Sequence, residues 1–451
     1  MAKYQAYAEY KDSGVGFLGE IPEHWIVSKV KYLAPFQVGW TPPTKNDSNF
    51  IGDNLWVNIS DLKGKVINNT VKQISDKAAL EASMDITPKG SLMYSFKLSV
   101  GTVSFAGCDM YTNEAIASFL HSAKLPLSYL YYALPKFVIE NASTNIYGAN
   151  ILNQELIRNA LLVKIPYIEA EKIANFLDHE TAKIDHLIEK QQQLIELLKE
   201  KRQAVISHAV TKGLDPNVPM KDSGVEWLGE VPEHWKVTRF KFLCDSIVAG
   251  PFGSSITKDM YVNQGFKVYG QEQVIPNNFE IGDYYISEKN YKELARYAVD
   301  PGDILISCVG TFGKIAVFPS NGEKGIINPR LIKATLSKDH NSYFYREFLK
   351  SEAVFKQFEQ LSRGGTMGVI NIAILNEIVA VAPDTNEQEA IYVFIAEQKI
   401  KFSHLIGRAC EQIELLKERR TALISAAVTG KIDVRHWQPP TLAEADTEFS
   451  T

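Results

Sequence analysis

Gly14, Gly16 and Gly19 stand at the G-x-G-x-x-G spacing that lets backbone N–H groups close on a dinucleotide pyrophosphate. That chemistry needs a strand running into the first glycine, and none is read before it. A second copy of the stretch carries Glu226 at the middle position, so the glycines are read as turn formers. Gly310-Thr311-Phe312-Gly313-Lys314 lacks both the spacing and the Ser/Thr of a P-loop. His24-Trp25 and His234-Trp235 could suggest a ligand site, but no second His, Cys or carboxylate cluster goes with them. They are read as an extended, proline-directed segment that lays an indole and a polar tip against a helix pair. Cys108, Cys244, Cys308 and Cys410 form neither a C-x-x-C pair nor a zinc ligand set, and are expected to be reduced and mostly buried. No motif for adenine methylation or nucleolytic cleavage is found, so the chain is read as non-catalytic.

What positions these residues is a duplication. Residues 11–33 return as residues 221–243, with 15 of the 23 aligned pairs identical. In a chain of 451 residues this displacement of 210 marks two tandem units. Each is followed by a stretch of apolar residues at three- and four-residue steps, at 173–210 and 391–429, which predicts two long amphipathic helices. The helices align without a gap at an offset of 218, as in Ile195-Glu196-Leu197-Leu198-Lys199-Glu200 against Ile413-Glu414-Leu415-Leu416-Lys417-Glu418. Lys212-Gly213 supplies a basic last turn and a glycine stop. Two matching apolar stripes are most simply buried against each other, as an antiparallel coiled coil in a pseudo-two-fold molecule.

Between motif and helix lie residues 34–166 and 244–383, with short apolar runs such as Leu92-Met93-Tyr94, Leu161-Leu162-Val163 and Ile304-Leu305-Ile306, broken by polar loops. These predict two mixed α/β domains, with one helix over 128–140. Their sequences are alike only at Gly148–Pro166 and Gly365–Pro383, each with an Asn (Asn153, Asn371) before an apolar run. The tail after Asp433 is expected to be disordered. The start of the chain has no apolar signal region and no apolar run is long enough to span a bilayer, which predicts a cytoplasmic protein without membrane contact.

The motif Lys-Asp-Ser-Gly-Val-x-x-Leu-Gly-Glu-x-Pro-Glu-His-Trp at 11 and 221, with Ile173-Ala174-Asn175-Phe176-Leu177-Asp178, Thr181-Ala182-Lys183-Ile184-Asp185 and Ala209-Val210-Thr211-Lys212-Gly213-Leu214-Asp215, closely resembles the specificity subunit of type I restriction-modification systems. The resemblance implies this order: an N-terminal conserved segment (1–33), target-recognition domain 1 (34–166), a central conserved region (167–243), target-recognition domain 2 (244–383), a C-terminal conserved helix (384–433) and a tail (434–451). It implies that each target-recognition domain reads one half of a bipartite double-stranded DNA site and that the helices set the gap. It implies two methyltransferase and two motor-nuclease subunits as partners, with S-adenosylmethionine, ATP and Mg on those partners and none on this chain. The second helix departs from the first at Ser403 and Gly407, opposite Asp185 and Glu189, which puts the detail of one methyltransferase contact in doubt.

Base edges are read by donors and acceptors on loops that can enter a groove. Polar, glycine-flanked stretches nominate Lys45, Asn46, Lys97, Ser99, Asn145, Tyr147 and Asn150 in the first domain. In the second they nominate Ser254, Ser255, Lys258, Gln271, Arg330, Arg363 and Thr366. Lys201, Arg202, Arg419 and Arg420 on the helices could touch phosphates or partners, or form a solvated face. The charge pulls the other way: residues 34–166 hold 11 Lys+Arg against 10 Asp+Glu, and residues 244–383 hold 14 against 15. Domains so near neutrality also suit a scaffold that organises partners without reading DNA.

Overall fold

The predicted helices form over Tyr167–Lys212 and Thr385–Val428; both start six residues earlier than expected, where Glu, Gln and Ala favour helix, and the second ends one residue sooner. The computed structural model describes residues 4–144, 150–252, 255–308, 313–362 and 370–438. The chain divides into two compact units, residues 1–191 with 411–451, and residues 192–410. Each unit holds one mixed α/β domain, one copy of the motif and half of each long helix.

The motif is a β-hairpin in both units. In the first unit Tyr10–Asp12 pairs antiparallel with Glu20–Pro22, and in the second Met220–Asp222 pairs with Glu230–Pro232. A strand does therefore precede Gly14, contrary to the sequence reading. It runs into a turn in which Gly14 and Gly19 take positive φ (70° and 62°), and the chain comes back as a strand rather than a helix. Trp25 and Trp235 follow the hairpins and are fully buried.

In the first unit β1 (Phe36–Val38), β2 (Asn54–Val57), β3 (Lys72–Ile74), β4 (Leu92–Ser95), β5 (Val103–Ala106), β6 (Tyr111–Thr112) and β7 (Ile116–Phe119) make two sheets. The larger has the order β1-β7-β4-β5, antiparallel throughout, with Val66–Ile67 added parallel to β5. The smaller has β2 parallel to β6 and antiparallel to β3. All four residues of β4 and of β7 are buried, as central strands covered on both faces require. Helix α1 (Leu127–Ile139) covers the sheet close to where it was expected, and its Tyr129, Leu130 and Phe137 share one core with Leu92, Phe119, Leu177 and Leu423. Each such side chain, fully buried, contributes roughly 1.5–3 kcal/mol. The long-helix segments are antiparallel here: Arg420 meets Asp185, while Lys431 beyond the second helix and Glu169 at the start of the first both hold the hairpin region.

The tail does not begin at Asp433. Asp433 N–H donates to the Gln5 carbonyl at 2.8 Å, Val434 is buried, and the Trp437 ring meets Phe176 edge-on at 5.7 Å. An indole and a valine against an apolar helix face outweigh the acidic, Pro-rich composition that follows.

The second unit repeats the plan with β8 (Cys244–Ala249), β9 (Phe266–Tyr269), β10 (Tyr285–Ile286), β11 (Ile304–Ser307), β12 (Ile315–Val317), β13 (Gly325–Ile327) and β14 (Leu331–Leu336). The order β8-β14-β11-β12 matches β1-β7-β4-β5, and β9 is parallel to β13 and antiparallel to β10 as β2 is to β6 and β3. Helices α2 (Ser342–Leu349) and α3 (Glu352–Leu361) close the core, which includes Ile206 from the first long helix and Ile391 and Ile395 from the second. The sequence showed the two domains as nearly unrelated, yet seven strands of each share one order and direction; the first unit adds Val66–Ile67 to its larger sheet and the second adds Tyr261–Val262 to its smaller one.

Candidate nucleic-acid interface

Among the described residues, most of the nominated side chains lie on strand ends, loops and helix starts rather than within the main sheets. In the first unit Asn113 leaves β6 with its N–H on the Val57 carbonyl (2.9 Å), and its Oδ1 accepts from Ala115 N–H (3.1 Å). In the second Asn328 leaves β13 with its N–H on Tyr269 (2.8 Å), and its Oδ1 accepts from Arg330 N–H (2.9 Å). This Asx turn places residues 114–115 and 329–330 at the mouth of the β4–β5 and β11–β12 hairpins. Phe96 N–H donates to Ala115 and Cys308 N–H to Arg330, at 3.0 and 2.9 Å. At the same place Gly39 and Gly250 press against the turn: a Cβ would stand 1.8 Å from the Thr112 carbonyl oxygen and 1.9 Å from that of Asn328. Glycine is required at both.

In the second unit this geometry gathers two of the nominated residues. Gln271 Nε2 donates to Ser307 Oγ at 2.5 Å, and Gln271 and Arg330 line one cleft with Asn328, Glu272, Tyr261 and Tyr284. Lys258 opens the short turn that leads into Tyr261 and is exposed, as is Ser255. Ser254, Arg363 and Thr366 lie outside the described residues.

In the first unit Lys97 and Ser99 sit exposed on the β4–β5 loop, on either side of Leu98. Leu98 is 91% exposed and held at φ 57°. Lys97 Nζ stands 4.0 Å from Glu114 Oε1, and Thr41 Oγ1 donates to Glu114 Oε2. Lys45 and Asn46 follow on the same exposed loop as Thr41, with Asn46 Oδ1 capping the turn at Ser48 (2.8 Å from its Oγ). Asn150 is not part of this group but lies on a separate ribbon, paired with Thr144. Asn145 and Tyr147 lie outside the described residues. Sequence reasoning missed Thr41, Glu114, Ser307 and Asn328; the signal that could have found Glu114 and Asn328 is an Asn directly after a β-branched strand end, at Thr112-Asn113 and Ile327-Asn328.

The His-Trp pairs are anchors. Glu169 in the first turn of the first long helix accepts from Trp25 Nε1 (3.0 Å) and Tyr7 Oη (2.7 Å) and meets His24 Nε2 at 2.8 Å. Glu387 does the same in the second, with Trp235 Nε1 at 2.8 Å and His234 Nε2 at 2.9 Å. Glutamates in the first turn also suit the positive end of the helix dipole. Burial pushes the Cys308 thiol up to about 11 and the Cys244 thiol up to about 12, so neither is a ready nucleophile. Cys410 is exposed and Cys108 and Cys244 are half-buried, so only Cys308 fits the buried expectation. Among the described residues no group of His, Cys, Asp or Glu converges as a metal site would need, and no helix is long and apolar enough to cross a membrane.

The type I restriction modification DNA specificity domain matches the chain twice, over residues 22–197 and 232–407. The MjaIX specificity subunit of a type I restriction enzyme from Methanocaldococcus jannaschii is 23% identical over 96% of this chain and 99% of its own length. The EcoKI specificity subunit of Escherichia coli K12 is 21% identical over 83% and 82%. Among solved structures, a chain of a type I R-M system complex covers 91% of this chain with a TM-score of 0.66 at 15% identity. The HsdS subunit from Thermoanaerobacter tengcongensis covers 91% with a TM-score of 0.54 at 15% identity. Two hairpin-anchored domains of one topology, two long helices and a doubled family match lead to one conclusion: this chain belongs to the type I restriction-modification DNA specificity family, as a non-catalytic subunit that confers sequence specificity.

Proposed function

We propose that each α/β domain reads one half of a bipartite DNA sequence through the mouth of its central hairpin. The observation that carries this reading is the repeated Asx turn at Asn113 and Asn328, which sets exposed polar side chains from two loops side by side in each unit. In the second unit the readers are Gln271 and Arg330, with Ser255 and Lys258 beside them. In the first they are Lys97, Ser99, Lys45 and Asn46. Arginine and glutamine are suited to bidentate pairing with guanine and adenine. Asn145, Tyr147, Asn150, Ser254, Arg363 and Thr366 remain nominated from sequence.

The helices set the distance between half-sites, whose centres then stand about one turn of DNA, roughly 10 bp, apart. They also dock two methyltransferase subunits, and two motor-nuclease subunits join for cleavage. S-adenosylmethionine, ATP and Mg belong to those partners, and the complex works in the cytoplasm. Sequencing host DNA for N6-methyladenine with and without this gene tests the reading. Loss of a two-part motif on deletion is the expected result. Unchanged methylation favours a scaffold, for which the near-neutral domains speak. Adding one heptad to both helices should widen the gap and leave each half unchanged; altered half-sites would remove the ruler.

A further inference from the structure

The two long helices align at an offset of 218, and three positions on one face differ in charge: Asp178, Thr181 and Asp185 of the first are Ala396, Lys399 and Ser403 of the second. In the first unit this face is neutralised internally. Lys65 Nζ pairs with Asp178 at 2.6 Å and Arg420 Nε with Asp185 at 2.9 Å, beside Tyr131, Tyr132 and Thr102. In the second unit Arg202 holds the place of Arg420 and faces no aspartate in the aligned position. Among the described residues it forms no ion pair.

Instead, cations gather there. Arg346 of α2 and Lys399 of the second helix both stand 2.7 Å from the buried Glu347. Lys350, at the end of α2, and Lys314, at the start of β12, lie close enough to repel each other. Glu347 thus pairs with two cations and attracts a third, Lys350, while Lys314 repels Lys350. Burial lowers the Lys350 ammonium to about 8; Glu347 opposes this, and Arg346, Lys399 and Lys314 add to it. The cluster is continuous with the reading end of the domain. Ser307 N–H donates to the Lys314 carbonyl at 3.0 Å, and Ser307 Oγ accepts from Gln271. The equivalent of Lys314 in the first unit is neutral, since Ser95 N–H donates to the Thr102 carbonyl at 2.9 Å.

We infer that Lys314, Arg346, Lys350 and Lys399 form a DNA-phosphate clamp present in the second unit alone, so that residues 192–410 supply most of the sequence-independent grip while the first unit contributes chiefly readout. The inference rests on the DNA-reading function proposed above. An acidic partner protein is the competing occupant; contiguity with Ser307, Gln271 and Arg330 favours DNA.

The test uses the full chain assembled with its methyltransferase subunits, and measures affinity against salt on duplexes with and without the methylated motif. Each phosphate contact contributes about 0.9 to the slope of log affinity on log salt. Lys314→Gln and Lys350→Gln should each lower that slope by about 1 on both duplexes, and leave their affinity ratio unchanged. Between 50 and 200 mM salt, each variant then loses about 3-fold less affinity than the native chain. Lys350→Arg, which keeps the charge, should keep the slope and so separates loss of the contact from loss of fold. An unchanged slope in both glutamine variants overturns the clamp, as does a loss confined to the motif-bearing duplex. Failure to assemble with the methyltransferase at unchanged slope assigns the cluster to an acidic protein surface instead. If the native chain itself does not discriminate the two duplexes, the DNA-reading function fails, not the clamp.

Discussion

Trp25 donates its indole N–H to Glu169 at 3.0 Å while both side chains are almost wholly buried, so a hairpin near the start of the chain is pinned to the first turn of a helix 144 residues later. Its counterpart, Trp235 with Glu387, has the same geometry but a more exposed carboxylate, 26% against 6% for its side chain. A buried acceptor that loses its charge leaves more donors poorly satisfied than an exposed one. Glu169→Gln should therefore destabilise the protein by about 2–4 kcal/mol and Glu387→Gln by about 1 kcal/mol. Chemical unfolding of the two variants checks the order, and equal losses would contradict it.

Lys350 makes stability depend on pH in a direction opposite to a paired lysine. Its folded value of about 8 lies below the ordinary value of about 10.4, so between these limits the unfolded chain binds more protons and folding gains as pH rises. The gain ends near pH 10, where tyrosines whose ionisation is raised by burial, such as Tyr4 at about 12, begin to reverse it. Lys350→Met should be more stable than the native chain at pH 7, and the difference should shrink by pH 9.5. Thermal melts at both values decide this; a difference that grows would refute the repulsion.

Arg330→Ala should relax one base position in the half-site read by residues 244–383, at a cost of about 1–3 kcal/mol in discrimination. The methylated motif would report it directly. A change in the other half-site would detach Arg330 from that role.

Trp437 tests the ordered end of the second conserved region. Its ring packs on Phe176 and on His179, with centroids 5.7 Å away in each case. Trp437→Ala should cost about 1–3 kcal/mol, less than a fully buried tryptophan because the residue is half-buried. A melting temperature equal to that of the native chain would mean that the Trp437 contact adds nothing.

The frame was legible in the sequence because helices write a periodic record and the duplication printed it twice. Ile173, Leu177 and Ile184 announced their buried face, and all three are buried. The domains left no such record. Their strands are two to six residues long, and the parallel pairing of Trp56 with Tyr111 joins residues far apart in sequence with no local pattern to betray it. Composition misled at Val434, where two residues in contact with a core decide more than the acidic run behind them. For the interface, residue type found Gln271 and Arg330 separately. Only the Asx turn at Asn328 explains why they share a cleft, and side-chain geometry of that kind depends on a fold the sequence did not disclose. The charge balance of whole domains hid the local excess around Glu347.

The first unit is assembled from both ends of the chain, since Tyr10 Oη donates to the Gly430 carbonyl at 3.0 Å and the Asp433 amide reaches Gln5. The second is one continuous stretch, 192–410. On the ribosome these fates differ. The clamp-bearing unit has every residue it needs once residue 410 is made, whereas the first domain must wait, with Trp25 and Leu177 short of their partners, until the stretch that begins at Glu411 emerges. Translation thus imposes an order of maturation on two halves that descend from one ancestor, and a stalled or truncated product would hold a finished second unit beside an unfinished first.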